Sequence, residues 1–474
     1  MNVRVRFAPS PTGYLHIGGL RTALYNYLFA KNQGGVFILR IEDTDRERYV
    51  EGAVEKLIKT MEAVGLRHDE GPFVQSERLD IYKKYADQLL EQGSAYKCFC
   101  TKERLDEVRK QQQLAKMPTK YDRHCSDLSV EEVEKKVAAG EPFVVRMKIP
   151  EGKTVFDDVI RGKVTIENAE VDDQVLIKSD GFPTYHLANV TDDHEMSVTH
   201  VIRGEEWLSS VPKHVILYDM FGWDKPIFAH LPLILNPDKS KLSKRQGDVA
   251  VEDYLAKGYL VEALINFVAT LGYNPKGDQE IYDIDELIKL FDLSKVNASG
   301  AVLNTEKLDW VNSHYIREKS VEQLVELCQP FLERAGKSVD TEMFKKIVSI
   351  EQERMVRLDE IVEMVGMYVE DLKIKDPEIL VWKKADKEDA TKNLTGVIEL
   401  IESLKEGDFA SVDLVEKAVK GYIDNKGLAN GNVLWPMRVA LSGQKASPGP
   451  FELAWALGRE QTLKRLRNAL IALK

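Results

Sequence analysis

Arg6-Phe7-Ala8-Pro9-Ser10-Pro11-Thr12-Gly13, running into His16-Ile17-Gly18-Gly19, is the stretch whose reading decides the fold. Just before it, Val3 to Phe7 alternates β-branched and polar residues, the pattern of a short strand. Pro9, Pro11 and Gly13 then break regular structure. From Leu20 to Ala30 apolar and aromatic residues recur at helical spacing. The order is strand, tight loop, helix. A helix N-terminus with small residues lets a phosphate approach backbone N–H groups at the positive end of the dipole. His16 stands at that junction, where an imidazole can hydrogen-bond a phosphoryl oxygen as charge develops. Gly18 and Gly19 let a ribose or purine lie against the backbone. Taken alone, His16-Ile17-Gly18 reads more simply as a turn with a surface histidine. The Pro/Ser/Pro/Gly order from Arg6 to Gly13 is not a generic turn composition, and it favours the nucleotide site.

Further along, Arg40-Ile41-Glu42-Asp43-Thr44-Asp45, Ser179–Asn189, Val201–Trp207 and Lys241-Leu242-Ser243-Lys244-Arg245 carry more chemistry. With the opening stretch, they resemble bacterial glutamyl-tRNA synthetases, of the class I aminoacyl-tRNA synthetase group. Arg438–Gly449 resembles the family's C-terminal region, so the likeness spans the chain. One position departs from the general class I tetrapeptide: its second histidine is Gly19 here, as is common in glutamate enzymes.

The resemblance implies an α/β N-terminal half, a Rossmann-type catalytic domain with an inserted α+β domain, and an all-α C-terminal half. The expected boundaries are 1–78 and 188–245 for the catalytic domain, and 79–187 for an insertion that binds the acceptor stem. A stem-contact helical domain follows at 246–318, then anticodon-binding helical domains at 319–378 and 379–474. Independently of the resemblance, helical periodicity is expected at Val321–Ala335, Glu342–Gly366, Lys387–Leu404, Val412–Asn425 and Phe451–Leu473. A helical tail fits glutamate enzymes better than glutaminyl enzymes, many of which carry β-barrels there.

Composition sets outer limits. A chain of 474 residues exceeds one core, and three to five domains are expected. Four cysteines do not make a disulfide scaffold. No apolar run is long enough to span a membrane, and Met1-Asn2-Val3-Arg4 enters a strand with no signal-peptide pattern. A cytoplasmic monomer without membrane attachment is expected. The net charge of −11 is awkward for a nucleic-acid partner. Phosphate contact needs only a local basic face, such as Arg459, Lys464, Arg465 and Arg467.

Glutamate carries two carboxylates and one ammonium, so its pocket needs cations and an anion. Guanidinium meets carboxylate through two parallel hydrogen bonds. The resemblance places Arg6, Ser10, Glu42, Tyr185, Asn189 and Arg203 around the amino acid. Arg6 is expected on the side-chain carboxylate, Arg203 near the α-carboxylate and Glu42 on the amine, although residue types alone do not settle which arginine takes which group. ATP is expected against His16, Gly18, Gly19, Glu206 and Trp207, with Lys241, Leu242, Ser243 and Lys244 swinging ammonium groups onto the phosphates. His16, Lys241 and Lys244 are the expected catalytic residues, and Mg²⁺ offsets phosphate charge. The implied reaction joins L-glutamate to tRNA(Glu) in two steps, through glutamyl-adenylate and then the terminal ribose 2′-OH. Bound tRNA is expected to be required for the first step.

Cys98, Cys100 and Cys125 lie in one window. Part of the family binds zinc there through Cys-x-Cys and Cys-x-His. Here Asp127 stands where that histidine would be, and His124 precedes Cys125. Zn²⁺ with Asp127 or His124 as fourth ligand is one reading, and three reduced cysteines the other. For the anticodon, the resemblance points to Arg354, Arg357, Arg438, Ser447 and Pro448, with Arg354 favouring tRNA(Glu) over tRNA(Gln). A surface ion pair within Glu351–Arg357 is the plainer alternative. The rival functions are a non-discriminating enzyme that also charges tRNA(Gln), a short ligase without the helical tail, and an inactive tRNA-binding paralogue.

Overall fold

The structure, a computed structural model, describes residues 2–45, 47–240, 242, 250–372, 374–383 and 385–473. It falls into two compact units, one of residues 1–255 and 261–308, the other of 256–260 and 309–474.

In the first unit, β1 (Arg4–Phe7), β2 (Val36–Ile41) and β3 (Glu70–Val74) form a parallel sheet in the order β1-β2-β3. Helix Ile17–Asn32 connects the first two strands, a β-α-β crossover of the kind that parallel pairing demands. β2 is buried on both faces from Phe37 to Ile41, as its near-continuous apolar run requires.

A small antiparallel sheet, β4 (Ala95–Cys98), β5 (Val144–Met147) and β8 (Val175–Ile177), lies within the segment expected as an insertion. The hairpin of β6 (Lys153–Asp158) and β7 (Gly162–Glu167) comes from that same segment, yet β6 pairs in parallel with β10 (Ile227–Leu231). β10 in turn pairs in parallel with β9 (His200–Gly204). This four-stranded sheet abuts the first one: Thr199 N donates to Arg4 O (2.9 Å), and Arg4 N donates to Thr199 Oγ1 (2.9 Å). Val201, Val211, Val215 and Phe228 pack with Ile38 and Phe156 into a shared core.

The fold class is the expected one. The second unit is helical, with Val321–Arg334, Thr341–Glu351, Ile361–Val369, Lys387–Ser403, Val412–Lys426, Asn430–Ser442 and Pro450–Leu473. The periodicity of Glu342–Gly366 suggested one helix, and the structure has two, separated by Gln352–Glu360. Backbone partners explain the break. Leu358 N donates to Gly258 O (3.1 Å), and Val356 N donates to the Glu360 carboxylate (2.9 Å). Gly258 lies at φ +83, and a Cβ there would sit 2.6 Å from Leu358 N. Helix Asn430–Ser442 carries Pro436 in its interior, which hides it from a periodicity reading. The C-terminal helix kinks at Gly458, whose φ of 72 is left-handed. Among the described residues, no helix is long and apolar enough to cross a membrane.

Candidate active site

A cavity of about 400 Å³ opens at the C-terminal ends of β1, β2 and β9. Parallel α/β sheets place ligands at that edge. The structure brings Arg6, Ser10, His16, Gly18, Gly19, Glu42, Tyr185, Asn189, Arg203, Glu206 and Trp207 to its walls. Tyr14, Thr22 and Arg48 also line it and had no signal in the sequence. Lys241, Ser243 and Lys244 lie outside the described residues, while Leu242 N donates to Ile234 O (3.2 Å).

His16 is the N-cap of helix Ile17–Asn32, and its Nδ1 accepts from Gly18 N (3.0 Å). That bond makes Nδ1 the acceptor nitrogen, so a neutral ring carries its proton on Nε2. A Cβ on Gly19 would lie 3.0 Å from Leu15 Cδ1, so the second histidine of the general tetrapeptide would meet Leu15 here.

Helix Tyr185–Glu195 carries Tyr185, Asn189, Asp192 and Asp193 on one face, at i, i+4, i+7 and i+8. Asp193 organises the pocket floor. Its Oδ1 accepts from Arg6 Nε (3.0 Å) and from Arg40 Nη1 (2.7 Å). Arg40 is fully buried and also reaches Glu42 (3.2 Å), which accepts from Asn189 Nδ2 as well (3.3 Å). Asp192 is buried too, and accepts from Gln75, Arg78 and Tyr82.

Burying so many charges works only because each has a partner of opposite sign. Burial works against the charge on Asp193, but Arg6 and Arg40 outweigh it and hold its pKa below the ordinary range. For Glu42 the balance goes the other way. Burial pushes its pKa up against the pull of Arg40 and Arg6.

Arg203 comes from the end of β9. Its Nε donates to His230 Nε2 (3.0 Å), and its Nη1 donates to Tyr185 Oη (2.7 Å). Tyr185 also packs on Trp207, with ring centroids 4.2 Å apart. His186 and His214 lie beside it, their ring nitrogens 3.2 Å apart. Burial, with Lys213 and Arg203 nearby, pushes the His186 pKa down to about 3. Arg40, Asp193 and His230, which support the expected residues, were not singled out from the sequence. Arg40 stood inside a quoted motif, whereas Asp193 and His230 gave no signal.

The sulfur atoms of Cys98, Cys100 and Cys125 lie within 4.8 Å of one another. Neither Asp127 nor His124 joins that group of ligand atoms. Asp127 instead accepts from Ser126 Oγ (3.1 Å). The hydroxyl of Tyr121 lies beside them, 3.3 Å from Cys98 Sγ and 3.4 Å from Cys100 Sγ. Burial raises the Cys100 pKa to about 12. At Cys98 burial is outweighed by hydrogen bonding with Tyr121, the Cys100 backbone and Arg146, and its pKa falls.

In the second unit, Arg354 Nε pairs with Glu351 (3.2 Å), itself buried and held by Tyr368 Oη (2.8 Å). Arg357 pairs with Asp359 (3.3 Å) and Glu360 (3.5 Å). Arg438 lies over Trp435, 4.7 Å from the ring centroid, and donates to Lys445 O (2.8 Å). Ser447 is buried and donates to Pro448 O (3.1 Å).

Residues 2–310 match the family model for the catalytic domain of class I tRNA synthetases of the E and Q type, and residues 323–470 match an anticodon binding domain. The chain is 47% identical to a glutamate–tRNA ligase of Clostridium botulinum, over 100% of this chain and 99% of that one. It is 46% identical to a glutamate–tRNA ligase of Clostridioides difficile, over 98% of each. A crystal structure of a glutamate tRNA ligase from Elizabethkingia meningosepticum, in complex with its amino acid, superposes with a TM-score of 0.91 at 39% identity and covers 100% of both chains. The chain therefore belongs to the glutamate–tRNA ligases, within the class I tRNA synthetases.

Proposed function

We propose that this cavity activates L-glutamate with ATP and passes it to the 3′-terminal adenosine of tRNA(Glu). The observation that carries the reading is the pair of buried arginines, Arg6 and Arg203, held at one cavity wall through their Nε atoms. A dicarboxylic amino acid needs two such cations, and Glu42 beside Asn189 supplies the anion for its amine. The glutamate α-carboxylate attacks the α-phosphate, and pyrophosphate leaves. The ribose 2′-OH then attacks the activated carbonyl, and AMP leaves. No protein nucleophile is required. His16 offers its Nε2 proton to a phosphoryl oxygen, because Gly18 N occupies Nδ1. Lys241 and Lys244 are proposed to neutralise the phosphates of Mg²⁺-bound ATP, on the sequence alone.

The three sulfurs and the Tyr121 oxygen suit a tetrahedral Zn²⁺. Cys98, Cys100, Cys125 and Tyr121 would hold it, in place of Asp127 or His124. Such a metal would tie the end of β4 to the segment that carries Tyr121 and Cys125, and take no part in the chemistry. About one zinc per chain by elemental analysis of the purified protein is the expected result, and a metal-free, fully folded protein would overturn it.

We further propose that segment 79–187 meets the acceptor stem, that 246–318 contacts the stem, and that 319–378 and 379–474 read the anticodon through Arg354, Arg357, Arg438, Ser447 and Pro448. The cytoplasm, where charged tRNA is used, is the proposed location. The test is charging of purified tRNA(Glu) and tRNA(Gln) with labelled glutamate, ATP and Mg²⁺. Charging of tRNA(Glu) alone is expected. Charging of both would remove the discriminating role of Arg354, and charging of neither would overturn the proposal.

A further inference from the structure

Arg203, His230 and Asp158 stand in a row across three neighbouring parallel strands. His230 on β10 is the direct register partner of Arg203 on β9. Asp158 on β6 pairs with Phe228, two residues before His230 and so on the same face. The side chains of His230 and Asp158 are fully buried, and Arg203 is nearly so.

The hydrogen bonds along this row have a fixed direction. A guanidinium can only donate, so Arg203 Nε–H donates a hydrogen bond to His230 Nε2 (3.0 Å). His230 Nε2 is therefore the acceptor, and the proton of the neutral ring sits on Nδ1. That nitrogen donates to Asp158 Oδ2 (2.6 Å). The other carboxylate oxygen, Oδ1, accepts from the backbone N–H of Ile160 (3.0 Å) and Arg161 (2.9 Å). Asp158 is thus held by its own turn, His230 by Asp158, and Arg203 by His230. The row ends with the Nη1 and Nη2 edge of Arg203 at the cavity, beside Tyr185 Oη and Trp207 O.

We propose that Asp158 and His230 are positioning residues for glutamate, which fix one imidazole tautomer and so aim Arg203 at a substrate carboxylate. The inference rests on the reading of this cavity as the glutamate pocket. A buried histidine that merely satisfied a core hydrogen bond would not need a carboxylate behind it, nor a register partner whose far edge faces the cavity. The arrangement follows a general rule: a buried carboxylate selects the tautomer of a histidine whose other nitrogen does the work. Asp158 also comes from the hairpin of the inserted segment, so glutamate recognition would depend on a residue outside the strand–loop–helix core.

Asp158→Asn is the discriminating variant. Its amide oxygen can keep the backbone bonds of Oδ1, while its NH₂ must face His230. The ring then has to accept at Nδ1 and carry its proton on Nε2, donor against donor with Arg203 Nε. Charging of tRNA(Glu) by the full chain should show a glutamate KM raised about tenfold to a hundredfold, the range that orienting partners carry. The ATP KM should stay within about twofold, a margin that additivity measurements resolve. In protein labelled with ¹⁵N-histidine, His230 should move from the Nδ1–H to the Nε2–H form. Arg203→Lys separates the two ideas. An unchanged glutamate KM in Arg203→Lys would overturn the pocket reading itself. A raised KM in Arg203→Lys with an unchanged KM in Asp158→Asn would overturn only the relay. Equal rises in the glutamate and ATP KM with a lowered melting temperature would also overturn it, since that is the signature of a structural role. Should Asp158→Asn not fold, His230→Gln, whose amide reaches only one of the two partners, should raise the glutamate KM in the same way, and an unchanged value there would overturn the relay.

Discussion

The arginines at the cavity and those proposed for the anticodon are held in opposite ways. Arg6 is 3% exposed and shares Asp193 with Arg40, so its direction is set before any substrate arrives. The Arg354 side chain is 40% exposed and leans on the carboxylate of Glu351, three residues back at the end of a helix. A small ligand rewards cations aimed in advance, because those side chains have little freedom left to lose on binding. A single-stranded loop of RNA is recognised by planar groups that can follow splayed bases. The difference teaches that the exposure of the arginine itself, and not the depth of its partner, separates the two kinds of site, since Asp193 and Glu351 are both buried.

The largest expected effect comes from taking the shared partner away. Asp193→Ala leaves two buried guanidinium groups without it and should cost about 3–5 kcal/mol of stability, seen as an early unfolding transition in urea. An unfolding curve superposable on the parent's would break the contrast between the regions. Arg6→Lys keeps the charge but loses the planar fork. It should raise the glutamate KM roughly a hundredfold, or about 2–3 kcal/mol, while the melting curve shifts little.

Acid should separate the regions next. Burial lowers the pKa of His186, His214 and His230, all in the first unit. A histidine whose folded pKa is depressed takes up its proton mainly when unfolded. Stability is then present above the unfolded pKa and is lost as pH falls through it. At His186, whose pKa is pushed down to about 3, this should cost about 2 kcal/mol by pH 5, and His214 and His230 act in the same direction. Hydrogen exchange at pH 7 and pH 5 should show helices Tyr185–Glu195 and Val211–Phe221 losing protection. Protection that stays constant in those helices would refute the sign. The smallest effect belongs to Arg354→Ala, which should raise the tRNA KM by about fivefold, near 1 kcal/mol, and leave the glutamate KM untouched.

The strand–loop–helix opening and the helical tail were legible because hydrophobic period reports local structure directly. Arg6, Glu42 and Arg203 were legible because they stand in short motifs. Their supports were not, for a physical reason. Asp193 meets Arg6 across 187 positions of chain, and His230 meets Asp158 across 72, so no local pattern links them. Tyr121 had no signal because hydroxyl-to-thiol contact leaves no spacing rule to read. The helix break at Gln352–Glu360 was invisible for a similar reason, since its cause is the carbonyl of Gly258, far back in the chain.

The pairing of β6 with β10 has a consequence for anyone who would trim the protein. Segment 79–187 looks like a detachable module when it is read linearly. Excising it whole would strip the outer strands from the four-stranded sheet and leave β10 as a naked edge, with Phe228, Ala229, His230 and Leu231 buried in the intact sheet. Such an edge invites pairing with other chains. A shortened enzyme that kept the hairpin Lys153–Glu167 would stay soluble where a clean deletion would aggregate.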